Sequence, residues 1–141
     1  MAALGEAPLA KLFLSQSQWQ HMKDQITQCL PEEACGLLFG NDGKVEAVIP
    51  ITNGLHSQTQ FRMDPGEQVK TLLDMEARGK ELIAIYHSHP TGPDHPSQKD
   101  NAEFTYPGTI YLIWSPDQGG WCCQAFEIQG DGYQSLEIKF R

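Results

Sequence analysis

The chain has 141 residues, of which 40% are hydrophobic and 20% are charged, and its formal net charge is −8 at pH 7. This length predicts a single domain over residues 1–141, with a core large enough to be stable without disulfides. The acidic balance argues against a nucleic-acid partner, because little positive charge is available to neutralise phosphates. No apolar run is long enough to cross a bilayer and the chain start does not resemble a signal peptide, so we expect a cytoplasmic protein without a membrane partner.

The N-terminal part predicts a strand followed by a helix. The first ten residues are expected to be flexible, and residues 11–15 form a short apolar strand. Ser15 and Gln18 have capping-box spacing, and apolar residues then recur at helical spacing until Pro31 ends the helix.

Three strand patterns follow the first helix. Residues 34–40 and 44–52 flank the sequence Asn-Asp-Gly, a compact turn signal, and therefore predict a β-hairpin. Residues 57–63 alternate between polar and apolar side chains, which predicts a half-exposed strand.

The second helix has the clearest start in the sequence. Asp64 is in the N-cap position, Pro65 is in the first helical position, and Glu67 has capping-box spacing. Gly79 ends the helix. The predicted inward-facing residues are Val69, Leu72 and Leu73.

The C-terminal half predicts four strands and one short helix. Residues 81–87 are strongly apolar, as in a strand that is buried on both faces. Ser97 is in position to cap a third helix that runs through Asp100 to about Phe104. An antiparallel meander follows over residues 109–115, 121–128 and 133–140. The whole order predicts a three-layer α/β fold, in which helices flank a mixed, largely antiparallel sheet.

Two histidines and an aspartate have the spacing of a catalytic metal site. His87 and His89 are two residues apart at the end of a strand, so both side chains project from the same face. Asp100, in the first turn of the third helix, would bring a carboxylate back towards these imidazoles. Two histidines and one carboxylate leave a fourth position of a zinc ion for water, whose pKa zinc lowers to about 7.

The four cysteines form no C-x-x-C pair. Adjacent residues such as Cys122 and Cys123 point to opposite faces of a strand. We therefore expect buried, reduced thiols rather than a zinc knuckle or a disulfide framework.

Three motifs together resemble the JAMM, or MPN-plus, metallopeptidases. They are E-x-C-G over residues 33–36, H-S-H-P over residues 87–90, and S-x-x-D over residues 97–100. The resemblance covers essentially the whole chain, and a free-standing domain of this length is most similar to the prokaryotic JAB branch. It implies the JAB/MPN fold, which is related to that of the cytidine deaminases.

The resemblance also implies a role for each motif residue. Glu33 corresponds to the general acid/base that holds the catalytic water, and Ser97 to the residue that stabilises the oxyanion. The adjacent Glu32 competes for the first role, but the family's spacing to the glycine selects Glu33. The residues that correspond to the ligands of one zinc ion per chain are His87, His89 and Asp100.

Members of this family cleave peptide or isopeptide bonds formed at the C-terminal tail of ubiquitin-like proteins. The resemblance therefore implies a zinc-dependent hydrolase whose partner is a ubiquitin-like or sulfur-carrier β-grasp protein with a Gly-Gly tail. Such a tail would add as a strand beside residues 57–63. Deubiquitinating relatives carry an insertion after the metal aspartate that is absent here, which favours a compact processing enzyme.

Other interpretations remain open at this point. A non-catalytic MPN scaffold would share the fold, and a passive metal-binding module would share the ligands. Ser97 is also a plain helix cap, and Glu33 is also read as an exposed acid. Cys35 is expected to pack beneath the site, because no histidine is placed in the sequence to activate it. A nucleobase deaminase is excluded, because it requires H-x-E and C-x-x-C.

Overall fold

The computed structural model describes residues 11–97, 109–129 and 132–141. The first ten residues, the third predicted helix beyond Ser97 and the predicted ligand Asp100 therefore lie outside the described residues. The described elements, in chain order, are β1 (Lys11–Leu14), α1 (Gln16–Cys29), β2 (Cys35–Asn41), β3 (Lys44–Ile51), α2 (Pro65–Ala77), β4 (Glu81–Ser88), β5 (Ile110–Asp117), β6 (Gly120–Gln129) and β7 (Gly132–Phe140).

The strands form one mixed sheet in the order β1-β3-β2-β4-β5-β6-β7. The central β2 pairs antiparallel with both β3 and β4, while β4 pairs parallel with β5. The predicted meander is confirmed, because β5, β6 and β7 pair antiparallel in succession. Strand β1 pairs parallel with β7 and makes one residue pair with β3, so the sheet closes on itself. This closure was not predicted.

Apolar side chains of the sheet are divided between two clusters. One cluster contains Met22 and Ile26 of α1 together with Leu38, and the other contains Met75 of α2 together with Leu37. Because neighbouring strand residues such as Leu37 and Leu38 point to opposite faces, the two helices lie on opposite sides of the sheet. The predicted three-layer α/β fold is confirmed.

The starts of both helices agree with the sequence prediction, except for the role of Glu67. Ser15 and Gln18 form the complete capping box of α1, in which each side chain accepts a hydrogen bond from the other residue's backbone N–H. Asp64 accepts from the N–H of Glu67 at the start of α2. The Glu67 carboxylate, however, accepts from the N–H of Thr52, so it anchors the helix to the end of β3 instead of completing a box.

The predicted strand over residues 57–63 is wrong. Its one bridge is the isolated antiparallel pair Asn53–Met63. The Asn53 side chain bonds the C=O of Gln60 and the N–H of Arg62, two groups that a neighbouring strand would otherwise pair. Such local side-chain bonds compete with a ladder and hold the segment as a loop. The expected docking of a tail beside a strand at this position loses its basis.

The predicted inner face of α2 is wrong at two of its three residues. Val69 and Leu73 are 55% and 62% exposed, whereas Leu72 and Met75 pack against the second cluster. The helix therefore buries a narrower face than its apolar pattern suggests. Neither α1 nor α2, the helices of the described part, is long and apolar enough to cross a membrane.

The cysteines are free thiols, as predicted. Their expected burial is correct only for Cys35, because Cys29, Cys122 and Cys123 are half-buried. Cys122 and Cys123 lie on β6, opposite Ser115 and Trp114 of β5.

Candidate metal centre

Two histidines at the end of β4 converge on one point. His87 is within the strand and His89 follows its last residue, so both imidazoles project from the same face. Their Nε2 atoms are 3.0 Å apart, and the residues are 0% and 4% exposed. The predicted pair is therefore assembled as two buried nitrogen donors.

Glu33 is the third member of the cluster. It lies between α1 and β2, is 5% exposed, and its carboxylate lies within 4.8 Å of the ligand atoms of both histidines. The β2–β4 register explains this proximity, because Cys35 is opposite His87. Glu32, the competing acid, instead pairs with His56, with 3.1 Å between Oε1 and Nδ1. The fold thus brings Glu33 and not Glu32 to the histidines.

The donor set fits a divalent metal ion. Two imidazole nitrogens and a carboxylate oxygen are ligands that zinc and similar ions prefer. A carboxylate removed from water is costly unless a positive charge compensates it, and a cation held by the imidazoles beside Glu33 would supply that charge. Among the described residues, this is the group of histidines, cysteines and acids placed to hold a metal.

The tautomer of His89 suits metal binding. Its Nδ1 lies 2.8 Å from the carbonyl oxygen of Pro93. A carbonyl only accepts hydrogen bonds, so Nδ1 carries the proton and the lone pair of Nε2 points towards His87. Such outer contacts fix the ring orientation of metal-binding histidines.

Aromatic rings pack around His87. The ring of Phe61 stacks on the imidazole with 4.5 Å between centroids and 27° between planes. Tyr111 approaches edge-on at 6.4 Å. These rings fix the orientation of the imidazole and cover it on the sides that do not face Glu33 and His89.

Ser88 connects the histidine strand to the glutamate segment. Its Oγ accepts a hydrogen bond of 2.8 Å from the N–H of Ala34, and its N–H donates to the Ala34 carbonyl at 3.0 Å. Ser88 lies between the two histidines and Ala34 directly follows Glu33. These two bonds therefore fix the distance between the carboxylate and the imidazoles.

The glycine of the E-x-C-G motif is required by close packing. A β-carbon on Gly36 would lie 2.3 Å from the ring of Tyr86, the residue before His87. The Tyr86 hydroxyl donates to Gln25 of α1, whose side chain donates to the Cys35 carbonyl at 3.1 Å. Burial raises the pKa of Tyr86, which keeps it a donor.

Cys35 packs beneath the centre. Its thiol donates to the carbonyl of Ile51 at 3.3 Å, and burial raises its pKa to about 12. A thiol that stays neutral at ordinary pH is a poor nucleophile, although His87 is its cross-strand partner. These contacts support the predicted packing role.

The geometry places Glu33, His87 and His89 together but tests the role of none of the predicted site residues. Ser97 is half-buried after the loop that follows β4, and Asp100 lies outside the described residues. Their roles stay predictions. His95, in the loop after β4, stacks on Tyr133 with 5.7 Å between centroids.

Three residues at the centre were missed in the sequence. Ser88 lies inside the H-S-H-P motif, but the motif gives it no role. The alternation of residues 57–63 predicts a strand that contains Phe61. Asn53 gave no signal beyond an Asn-Gly dipeptide, yet its amide donates to the carbonyl of Glu33 at 3.0 Å. A cavity of about 280 Å³ opens beside Asn53, and its lining also includes Glu33, His56 and Glu67.

Several known proteins are similar in sequence to this chain. Residues 15–129 match the family described as prokaryotic homologs of the JAB domain. The desampylase of Haloferax volcanii is 34% identical over 121 residues, which cover 84% of this chain and 85% of that protein. The CysO-cysteine peptidase of Mycobacterium tuberculosis is 40% identical over 87 residues, 60% of each chain. The probable TtuB-protein conjugate cleaving protease of Thermus thermophilus is 37% identical over 107 residues, 75% of this chain and 71% of that protein.

A solved structure shares the fold. The solution structure of a Desulfitobacterium hafniense protein has a TM-score of 0.82 and 36% identity to this chain, and the match covers 92% of each. The family match spans most of the chain, from the N-cap of α1 to the end of β6. The chain therefore belongs to the prokaryotic JAB homologs, the branch of the JAMM metallopeptidases that its motifs resemble.

Proposed function

We propose that this chain is a zinc-dependent peptidase that hydrolyses the peptide or isopeptide bond after the Gly-Gly tail of a ubiquitin-like or sulfur-carrier protein. The observation that carries the proposal is the convergence of Glu33, His87 and His89 in a buried cluster. The names of two relatives support the substrate class, since one is named a CysO-cysteine peptidase and the other a probable TtuB-protein conjugate cleaving protease. We also propose that residues 1–141 act as a single domain and that the protein is cytoplasmic.

One zinc ion per chain is part of the proposal. His87 and His89 would hold it, with Asp100 as the third protein ligand. Bound zinc supplies a Lewis acid that activates water and polarises the scissile carbonyl. The hydrogen bond from His89 Nδ1 to Pro93 keeps its Nε2 available for the ion.

Glu33 is the proposed general acid/base. Its carboxylate lies close to both imidazoles, where it can take a proton from the attacking water and return it to the departing amine. The hydroxyl of Ser97 is proposed to donate to the oxygen that becomes negative in the tetrahedral intermediate. The site thus divides proton transfer and charge stabilisation between two side chains of this chain.

A glycine tail suits the crowded approach to the imidazoles. Phe61 lies against His87, and the cluster itself is buried. A residue without a β-carbon can bring its backbone closest to such a site. This crowding supports a tail that ends in glycine.

The test uses a β-grasp protein that ends in Gly-Gly, joined in one sample to the α-amine of cysteine and in another to a lysine ε-amine of a second protein. We expect mass spectrometry to show that the β-grasp protein is released with its complete Gly-Gly end from at least one conjugate. A chelator should stop this cleavage. Glu33→Gln should lower turnover by about 10²- to 10⁴-fold while zinc content is kept. Glu32→Gln removes the same charge one residue away and should leave turnover unchanged.

Two results would contradict the proposal. If zinc-loaded wild-type protein cleaves neither conjugate, the peptidase assignment fails. If Glu33→Gln binds zinc and acts as fast as the wild type, Glu33 is not the acid/base. The passive metal-binding module that the sequence also allowed would show zinc binding with no turnover in any variant.

A further inference from the structure

Asn53 uses the full hydrogen-bonding capacity of a buried side-chain amide. It lies two residues after the end of β3, and its Nδ2 donates to the carbonyls of Glu33 and Gln60, both at 3.0 Å. Its Oδ1 accepts from the N–H groups of Leu55 and Arg62 at 3.0 and 3.1 Å. Two donors and two acceptor positions are thus occupied, the most that a carboxamide offers.

These bonds connect the glutamate to one loop, residues 54–62, which we call the cover loop. The carbonyl of Glu33 is bonded to Asn53, and its N–H donates to the carbonyl of Ser57 in the cover loop at 2.8 Å. The same loop carries Phe61, which stacks on His87. A single buried amide therefore lies between the proposed acid/base and the loop that packs on a proposed metal ligand.

We propose that Asn53 is a positioning residue that keeps Glu33 in register with the cover loop. The catalytic part of this inference rests on the proposed peptidase function, while the coupling itself rests on the contacts alone. A displacement of about 1 Å in a catalytic group can cost about 10²-fold in rate, so the backbone of Glu33 has to be held firmly. Among the side chains near Asn53 in size, only an amide donates and accepts in this geometry.

The two halves of the amide have separate tasks. Oδ1 bonds only the cover loop, through Leu55 and Arg62, and Nδ2 is the half that reaches Glu33, besides Gln60 of the loop. Asn53→Asp keeps the acceptors but places carboxylate oxygen against the carbonyl of Glu33. Asn53→Ala removes both halves. A residue that only stabilised the loop would lower kcat in Asn53→Ala alone, because Asn53→Asp keeps the Oδ1 contacts, whereas a positioning residue would lower kcat in both variants.

Kinetic constants of the zinc-loaded full-length chain test the inference, with whichever Gly-Gly conjugate the wild type cleaves. For Asn53→Asp we expect kcat to fall by about 10- to 100-fold, as for other residues that orient a site. The KM should stay within about threefold, because the two contacts that Oδ1 makes to the cover loop remain. Asn53→Ala should show the same fall in kcat and also a raised KM. Asn41→Asp is the control: it makes the same change of charge at the far end of β2, and its kcat and KM should match those of the wild type.

Amide hydrogen exchange gives a second measurement that needs no substrate. In Asn53→Asp the N–H of Glu33 should exchange at least about tenfold faster than in the wild type, while those of Leu55 and Arg62 stay protected. An inactive wild type would reject the peptidase function but leave this exchange test valid.

The inference is overturned if the Glu33 amide keeps its protection in Asn53→Asp. It is equally overturned if both variants merely lower Tm while kcat per zinc-loaded molecule stays at the wild-type value. Should Asn53→Asp fail to fold, Asn53→Ala, which buries no charge, decides the kinetic question by the size of its fall in kcat.

Discussion

The two sides of the candidate metal centre are built in different ways. On the imidazole side, His87 and His89 are placed by the alternation of one strand, and ring stacking and one carbonyl orient them. On the carboxylate side, Glu33 is outside any helix or strand. Its position is held by the bond from Asn53 to its carbonyl and by the bond from the N–H of Ala34, the next residue, to Ser88. The first arrangement suits holding an ion, and the second suits precise placement of a proton carrier. Metal retention and turnover should therefore be separable by mutation.

The largest effect is expected on the imidazole side. His87→Ala removes one of the two nitrogen donors and also the stacking partner of Phe61, so zinc should be lost together with all measurable turnover. Zinc content after dialysis and turnover on a Gly-Gly conjugate are the measurements. His95→Ala is the matched control, because this histidine stacks on Tyr133 and should keep both properties. Zinc at the wild-type level in His87→Ala would place the ion elsewhere.

A smaller effect is expected where the two sides meet. Ser88→Ala leaves the buried N–H of Ala34 without its acceptor, which should cost about 1–3 kcal/mol in the free energy of unfolding. Turnover should fall about tenfold while zinc content stays near that of the wild type, because neither imidazole is removed. Ser88→Thr keeps the hydroxyl and should restore turnover. Equal turnover in the alanine and threonine variants would show that this contact does not position Glu33.

The smallest effect concerns the thiol beneath the centre. Burial raises the pKa of Cys35 to about 12, so at pH 8 the thiol is neutral in the folded protein. Iodoacetamide at that pH should therefore leave Cys35 unlabelled in native protein and label it after denaturation, as peptide mass spectrometry would show. Labelling of Cys35 in native, zinc-loaded protein with loss of turnover would contradict its packing role.

Most of the fold could be predicted from the sequence because the signals for its elements are local. The capping residues Ser15 and Asp64, the Asn-Asp-Gly turn and the apolar strand over residues 81–87 each act within a few positions of the chain. The closure of the sheet depends on β1 pairing with β7, strands separated by nearly the whole chain. Local patterns carry no information on such a contact.

The candidate metal centre could be predicted from the sequence only in part. The H-x-H spacing alone predicts that His87 and His89 share a face, and the structure confirms it. The choice of Glu33 over Glu32 required the family spacing, since either acid fits a helix–strand junction. The cover loop was misread because its alternating residues have the period of a strand, whereas Asn53 captures the backbone groups that a strand would pair.

X-ray absorption at the zinc edge, on purified wild-type protein, tests the central claim most directly. The account predicts one zinc per chain with two imidazole nitrogens among its ligands and no sulfur. Folded protein that takes up no zinc, or a spectrum dominated by sulfur ligands, would contradict a metal centre at His87 and His89.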